Sequence, residues 1–460
     1  MVNTQHAVKG AVPAGPRLTQ MLRLVWRLQR RGDAAFDDLF ERYGDVVWVS
    51  LPTFLSKRIV SAGSRVAFVR DPKLIKPLLM APAEVVNATE PHRMLETLWG
   101  DRSLFILDGP PHRRLRKLML PRLRGDALEH WREFIATKVE GEAHAWVNEP
   151  VVTVLPRMQD VSLELILKIL ASVPDSEMPV WKSAWRDLLK TGTSGQIAMR
   201  SALRSLGAMR LWPRYHRELQ RCERLIFDEV VRRRRQPELE HDDIIDLLMR
   251  AEGEPVSDKE IRDQVFAIMI GGYDPPAALA SWVIERLVRN PHALAAATAE
   301  ARGSEGQTTY MDAVVQETLR LRPPFMFVAR LIREPITMGE HHFPAGTMLM
   351  VVISAVHRQP ELYDDPESFR PERFLQQRPT FYGHIPFGGG EHRCLGDRVA
   401  VFEVTHTVAT LLRLVDLEAV DPRDERVRIE SGVRVPGNGG VVRARRAYRT
   451  EEYSDRGART

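Results

Sequence analysis

Over most of the chain, apolar residues recur at three- and four-residue intervals with charged residues between them. That pattern predicts helices over 33–44, 126–147, 161–173 and 213–236, and a long one over 256–290. Strand-like runs are shorter and fall in two places: "DVVWVSL" (45–51) with "RVAFVR" (65–70), and "TMLMVVIS" (347–354). The expected fold class is mainly α with small β-sheets. No internal repeat or low-complexity linker divides the pattern, so a single large domain is expected. The stretch "MLRLVWRLQRR" (21–31) is basic and amphipathic and reads as a packed N-terminal helix, with contact to a membrane surface as the alternative. The charged tail from 443 is expected to fray.

Composition narrows the picture. A length of 460 residues alone suggests two or three domains, but the unbroken helical pattern overrides that prior. With 44% hydrophobic and 28% charged residues, the chain has an ordinary globular make-up. Its formal charge, 66 Lys+Arg against 61 Asp+Glu, is +5, too small an excess to imply nucleic acid. Two cysteines, Cys222 and Cys394, make a disulfide framework unlikely and suit a reducing, cytoplasmic setting. No apolar run reaches the ~18–20 residues needed to span a bilayer.

The long central segment contains an anomaly, "GGYDPP" at 271–276. Proline lacks an N–H and clashes with the carbonyl four residues earlier, at a cost of ~3 kcal/mol or more. Those carbonyls belong to Gly271 and Gly272, the residue type most able to bend away. Asp274, preceding a proline, is biased away from helical geometry. The helix is therefore expected to open here, leaving two carbonyls for water or for a substrate hydroxyl or amine.

The candidate chemistry lies elsewhere, in "PFGGGEHRCLGDRVAVFEVTHTVATLL". A glycine-rich loop delivers Cys394 to the start of an amphipathic helix, where the dipole and free N–H groups stabilise a thiolate. Gly388, Gly389, Gly390 and Gly396 let the backbone approach something flat, and His392 and Arg393 add positive charge. Those features fit a soft metal ligand for a planar anionic cofactor.

With Phe387, Gly390, His392, Cys394 and Gly396 at this spacing, the stretch resembles the heme-binding loop of the cytochrome P-450 family. "QETLRLRPP" carries Glu317 and Arg320 one turn apart, and "RPERF" carries Arg373, like that family's Glu-x-x-Arg signature and its downstream arginine. "LDGPPHRRLRKLMLPRL" places His112 and Arg116 four apart, and "FMFVARLIREPITMGE" contains Arg330. The order of these segments matches over essentially residues 40–445. The resemblance implies a cytochrome P-450 fold with an N-terminal extension (1–39), a heme domain (40–445) and a charged tail (446–460). It implies heme b with Cys394 as the axial thiolate ligand. His112, Arg116, Arg330, His392 and Phe387 would bind the cofactor, four of them as propionate partners. Glu317, Arg320 and Arg373 would form a structural triad.

In that family the central helix usually reads Ala/Gly-Gly-x-Asp/Glu-Thr, and the threonine holds a proton-relaying water. Gly271, Gly272 and Asp274 match, whereas Pro275 and Pro276 stand where the threonines belong. The resemblance therefore implies a bacterial-type heme-thiolate monooxygenase with Asp274, Gly271, Gly272 and Pro275 as its catalytic positions. Three routes for protons or oxidant stay open: Asp274 with water on the freed carbonyls, a hydroxyl of the substrate, or no dioxygen activation at all, as in a peroxygenase or a rearrangement catalyst. Asp274 would repel a carboxylate substrate, which ranks the peroxygenase second. A heme-binding carrier or sensor without turnover is the remaining alternative.

The pocket is expected to be lined by 81–107, by 180–215 with Arg200, Arg204, Arg210 and Arg214, and by Phe325, Met326 and Phe327. A lipophilic small molecule of the terpenoid, fatty-acid or polyketide kind, typical of secondary metabolism, is the expected substrate. Electrons would reach a monomer from NAD(P)H through a separate ferredoxin or flavodoxin and its reductase. Arg113, Arg114, Lys117, Arg393 and Arg398 are candidates for the docking face.

Overall fold

A computed structural model describes residues 34–50, 65–192, 212–303, 308–376, 380 and 382–447. The helix expected at 21–31, Arg200, Arg204 and Arg210, and the tail from 448 lie outside the described residues. The longer helices are α1 (Ala34–Tyr43), α2 (Pro72–Met80), α3 (Gly109–Met119), α4 (Asp126–Trp146), α5 (Val154–Ala171), α6 (Met178–Gly192), α7 (Pro213–Arg234), α8 (Asp258–Val288), α9 (Pro291–Gly303), α10 (Thr309–Leu321) and α11 (Asp397–Leu414). The strands are β1 (Val46–Ser50), β2 (Arg65–Val69), β3 (Val86–Asn87), β4 (Val152–Thr153), β5 (Phe327–Ile332), β6 (Ile336–Met338), β7 (His341–Phe343), β8 (Thr347–Val352), β9 (Val415–Ala419), β10 (Val427–Glu430), β11 (Val433–Pro436) and β12 (Val441–Arg446).

One sheet has five strands in the order β1-β2-β8-β5-β3, with β2 and β8 parallel and the other pairs antiparallel. A second has the order β4-β12-β9, and β6–β7 and β10–β11 are isolated hairpins. Within the described residues the expected helices and strands are present, with α5 starting well before 161. Pro156 lies in its first turn, where a missing N–H costs nothing. No described helix is long and apolar enough to cross a membrane.

Helix α8 runs through the middle of the helical core and packs against α5, α10 and α11. It is buried on nearly every face, which is why its apolar residues form no single stripe. A capping box starts it: Ser257 Oγ accepts from Glu260 N, and the Glu260 side chain accepts from Ser257 N at 3.0 Å. The expected opening at "GGYDPP" does not occur, and the helix is continuous from Asp258 to Val288 with Pro275 and Pro276 inside it. Packing decides this. Pro276 to Val288 are all buried, and Gly272 sits so close to α5 that a Cβ there would come within 2.7 Å of Ile166 Cδ1. Gly271 and Gly272 also offer the proline rings no side chain to meet. The two carbonyls still lack their usual donors, because Pro275 and Pro276 carry no N–H.

At the end of α10, Glu317 and Arg320 are fully buried. Arg320 donates to Glu317 Oε2 at 2.7 Å and Oε1 at 2.8 Å, and to the carbonyls of His357 (3.1 Å), Pro366 (2.6 Å) and Ser368 (3.0 Å). Glu317 also accepts from Arg370 N at 2.8 Å and Arg373 Nε at 3.1 Å. The three residues expected to form a triad therefore meet. The network continues to the cysteine loop: His357 Nδ1 donates to Arg320 O (3.2 Å), while its Nε2 accepts from Ile385 N (2.8 Å). Replacing Arg320 with Met would leave the buried Glu317 with Arg373 as its remaining cation and strip the carbonyls of His357, Pro366 and Ser368 of their donor. The expected loss is about 3–5 kcal/mol, read as a lowered urea midpoint. A midpoint equal to the parent's would show that this network is not what secures α10.

Candidate functional site

The cysteine loop is shaped by what it must pass. Gly388 and Gly390 adopt φ of 67° and 70°, the left-handed region that favours glycine. A Cβ on Gly390 would come within 2.0 Å of Leu79 O, at the end of α2. The loop closes where Cys394 N donates to Phe387 O at 3.0 Å. Arg393 then pairs with Asp397 (2.9 Å) at the first turn of α11. Cys394 keeps accessible surface although protein surrounds the thiol on every side, so that surface faces inward. Gly271 is likewise exposed within the buried α8, and nothing lies within 4 Å of where its Cβ would be. The interior is thus open beside both residues.

The thiolate expected from the helix terminus needs a correction. Burial, with Asp397, raises the Cys394 thiol above its ordinary value, and the Gly396 N–H, Arg116 and Arg393 only partly oppose this. The free side chain is a thiol. Coordination to a metal ion would remove its proton outright.

The four proposed propionate partners fall into one cluster. His112 is buried, its ring lies 4.2 Å from that of His392, and its Nδ1 lies 3.4 Å from Glu391 Oε1. His392 Nε2 lies 2.9 Å from Asp108 Oδ1. Burial would raise the Asp108 carboxyl, but His392, Thr89 and Asn87 outweigh it and hold it at about 2. Arg330 is 7% exposed and donates to Ala329 O (2.8 Å) and Gly389 O (3.4 Å), with no carboxylate in ion-pair reach among the described residues. Burial lowers its guanidinium to about 10, against the pull of Asp108. Burial and neighbouring cations also lower Arg116, which has no ion-pair partner among the described residues. Buried cations without counterions, beside an open interior and a thiol, are what a dicarboxylate cofactor such as heme would satisfy. Phe387 lies in the same loop, with the Arg393 guanidinium 5.9 Å from its ring centroid.

His92 was not visible as a member of this cluster in the sequence. Burial, then Arg330 and His392, hold its ring at about 4, so it faces the same charges. Nearby, Trp99 and Phe105 stack at 4.4 Å, and Ile106, Ala267 and Ile270 join them in an apolar wall between 81–107 and α8. That places the expected pocket loop against the central helix. Of the other wall candidates, Phe325 is 45% exposed, whereas Met326 and Phe327 pack beside α1. The Phe327 ring is committed there, 5.5 Å from Phe36 and 5.8 Å from Phe68.

Asp274 is half-buried and accepts from Gln159 Nε2 of α5 at 2.9 Å. Burial raises its carboxyl to about 6, aided by Glu430 and opposed by hydrogen bonds from Gln159 and Ser431. One turn along α5, Ser162 Oγ meets Glu403 of α11 at 2.5 Å, and burial raises that carboxyl to about 7. No local sequence signal marks Glu403, whose partner is 241 residues away.

Comparison with known proteins bears on these features together. A family model described as Cytochrome P450 matches residues 13–441. The protein designated cytochrome P450 137 of Mycobacterium tuberculosis is 36% identical over 414 residues, covering 89% of this chain and 85% of the relative. Cytochrome P450 135B1 of Mycobacterium bovis is 32% identical over 446 residues, covering 94% and 91%. The fold is similar to that of a retinoic acid-bound cyanobacterial CYP120A1, with a TM-score of 0.77 and 21% identity, covering 92% of this chain and 96% of that one.

The raised Glu403 carboxyl makes a signed prediction about stability. Below 4.5, its ordinary value, the group is protonated in both folded and unfolded chains and favours neither. As pH climbs toward about 7 the unfolded chain ionises first, so stability falls by on the order of 3 kcal/mol. Glu403→Gln should flatten this part of the stability–pH curve and raise the melting temperature at pH 8. An unaltered slope between pH 5 and 7 would contradict the assignment.

Proposed function

The chain belongs to the cytochrome P450 family, and from that premise we propose that it oxidises a lipophilic small molecule with Cys394 as the ligand of heme iron. Membership brings oxidoreductase, monooxygenase chemistry, heme b and electrons from a separate redox partner. When bound, heme b supplies the one-electron and oxygen chemistry that no side chain provides. The single observation that carries the site assignment is Arg330, a buried guanidinium with no counterion, set beside His112, His392 and the inward-facing Cys394. Arg330, Arg116, His112 and His392 would hold the two cofactor carboxylates, and the glycine loop would bring the Cys394 sulfur to the ring's face.

Helix α8 would border the same open interior. Gly271 has no side chain to intrude on the open interior, and the donor-free carbonyls of Gly271 and Gly272 can accept a hydrogen bond from water or a substrate hydroxyl. Asp274, with its carboxyl near 6, can hold or release a proton close to neutral pH. The apolar wall of Trp99, Phe105, Ile106 and Ala267 supports a lipophilic substrate over a charged one. Among the basic residues outside the thiol, Lys117 and Arg398 are exposed, while Arg113 pairs with Glu391 at 3.2 Å. A small acidic ferredoxin or flavodoxin is the partner this surface suits.

The test supplies purified protein with a lipophilic substrate panel in two arms, one with NADPH, a ferredoxin and its reductase, the other with hydrogen peroxide alone. Product confined to the electron-fed arm is expected. Product mainly in the peroxide arm would favour the peroxygenase reading, for which Pro275 in place of a hydroxyl residue is the supporting feature. In parallel, Cys394→Ala should fold, by circular dichroism, yet lose the thiolate-type carbon monoxide difference spectrum. Survival of that spectrum would overturn the ligand assignment.

A further inference from the structure

Helix α5 packs closely along α8, with Ile166 against the face where Gly272 has no room for a Cβ. Two turns before Ile166, Gln159 reaches the same helix, and its Nε2 donates to Asp274 Oδ1 at 2.9 Å. Gln159 makes no other hydrogen bond among the described residues, so its Oε1 is free to accept one.

Cations reach this part of α5 but are taken by other acids. On α6, Lys182 pairs with Asp160 at 2.9 Å and with Glu164 at 3.0 Å, and Arg186 also pairs with Asp160. Asp160 directly follows Gln159 on α5. No Lys or Arg pairs with Asp274 among the described residues, and its hydrogen-bond partner on α5 is a neutral amide. Of the other titratable groups, Glu430 of β10 bears on Asp274, and Asp274 with Arg186 bears on the adjacent Tyr273 phenol.

A neutral amide differs from a cation in what it can hold. Its nitrogen donates to a carboxylate, and its oxygen accepts from the O–H of an acid. The last torsion of glutamine is broad and two-fold, so a half-turn exchanges the two ends at little cost. Lysine or arginine offers donors alone and would favour the ionised carboxyl.

We propose that Gln159 is a positioning residue that holds the Asp274 carboxyl in place in both of its protonation states, donating to the carboxylate and accepting from the acid. The proposal rests on the monooxygenase reading above, in which Asp274 takes up and releases protons. In one cycle an Oδ–H bond forms with a proton from one water and breaks toward another. Carboxyl and amide end as they began.

Infrared difference titration of the holoprotein reads both forms of Asp274, with Asp274→Asn identifying the bands. The parent midpoint is expected at about 6. Gln159→Leu keeps a good helix former at a half-buried site and removes both donor and acceptor. Its protonated carboxyl stretch should move to higher frequency, because the acid loses its acceptor. The midpoint should also rise, by roughly threefold to tenfold in proton affinity, since the bond to the charged form is the stronger one. A side chain that merely filled space, or a donor fixed to the carboxylate, would leave the protonated band where it is. An unshifted band overturns the proposal.

Gln159→Lys supplies donors without an acceptor, so proton affinity should fall roughly tenfold or more. With the carboxyl held ionised, peroxide released per NADPH should rise several-fold. Coupling equal to the parent's at a lowered midpoint would show that the acid form is not needed, which overturns the proposal. A midpoint unmoved in both variants would show that residue 159 does not hold Asp274, with the same result. A parent protein lacking the thiolate-type carbon monoxide spectrum would instead sink the monooxygenase reading and leave the infrared result standing.

Discussion

A guanidinium taken fully out of water is tolerable only when every N–H finds an acceptor, and Arg320 meets that condition. Its five donors go to two carboxylate oxygens of Glu317 and to the carbonyls of His357, Pro366 and Ser368. The consequence is geometric. One side chain fixes the end of α10 against two later segments, and Arg373 fixes a third point by reaching back to Glu317. His357 extends this to Ile385, and Tyr363, whose ring lies 5.0 Å from the Arg320 guanidinium, donates to Gly383 O at 3.0 Å. The cysteine loop thus starts from a backbone already held on two sides. Its glycines can pass close to Leu79 without the loop being loose.

From that anchored loop the two halves of the site face different requirements. The side with Arg330 and Arg116 carries positive charge that protein carboxylates only partly offset, because Arg330 has none within reach among the described residues. The side formed by α8 is nearly uncharged, and its one carboxyl near the glycines is pushed toward the neutral form by burial. Such an arrangement attracts an anionic cofactor to one edge of the interior while keeping the face above it receptive to apolar molecules.

Much of this was legible in the sequence because it is encoded locally. The Cys394 loop, the Glu317/Arg320 spacing and the His112/Arg116 turn each lie within a few residues, and periodicity located the helices that carry them. What was missed depends on distant partners. Glu403 and Ser162, His92 with Arg330, and Gln159 with Asp274 are far apart along the chain, and no local pattern marks them. The one clear structural misreading, the opened helix at Pro275, came from applying a local rule where burial on every face overrides it. Helix α5 also starts earlier than the periodicity over 161–173 indicated, with Pro156 in its first turn.

The continuity of α8 changes what the two prolines accomplish. An opened helix would have relocated Asp274 and freed its carbonyls by distortion. In the continuous helix the carbonyls of Gly271 and Gly272 lose their donors through covalent chemistry alone, while Asp274 meets Gln159 of α5. The substitution therefore removes a side-chain hydroxyl and adds two backbone acceptors at nearly fixed geometry. A site altered in that way keeps a carboxyl that burial pushes toward the neutral form, held by Gln159 from the facing helix α5.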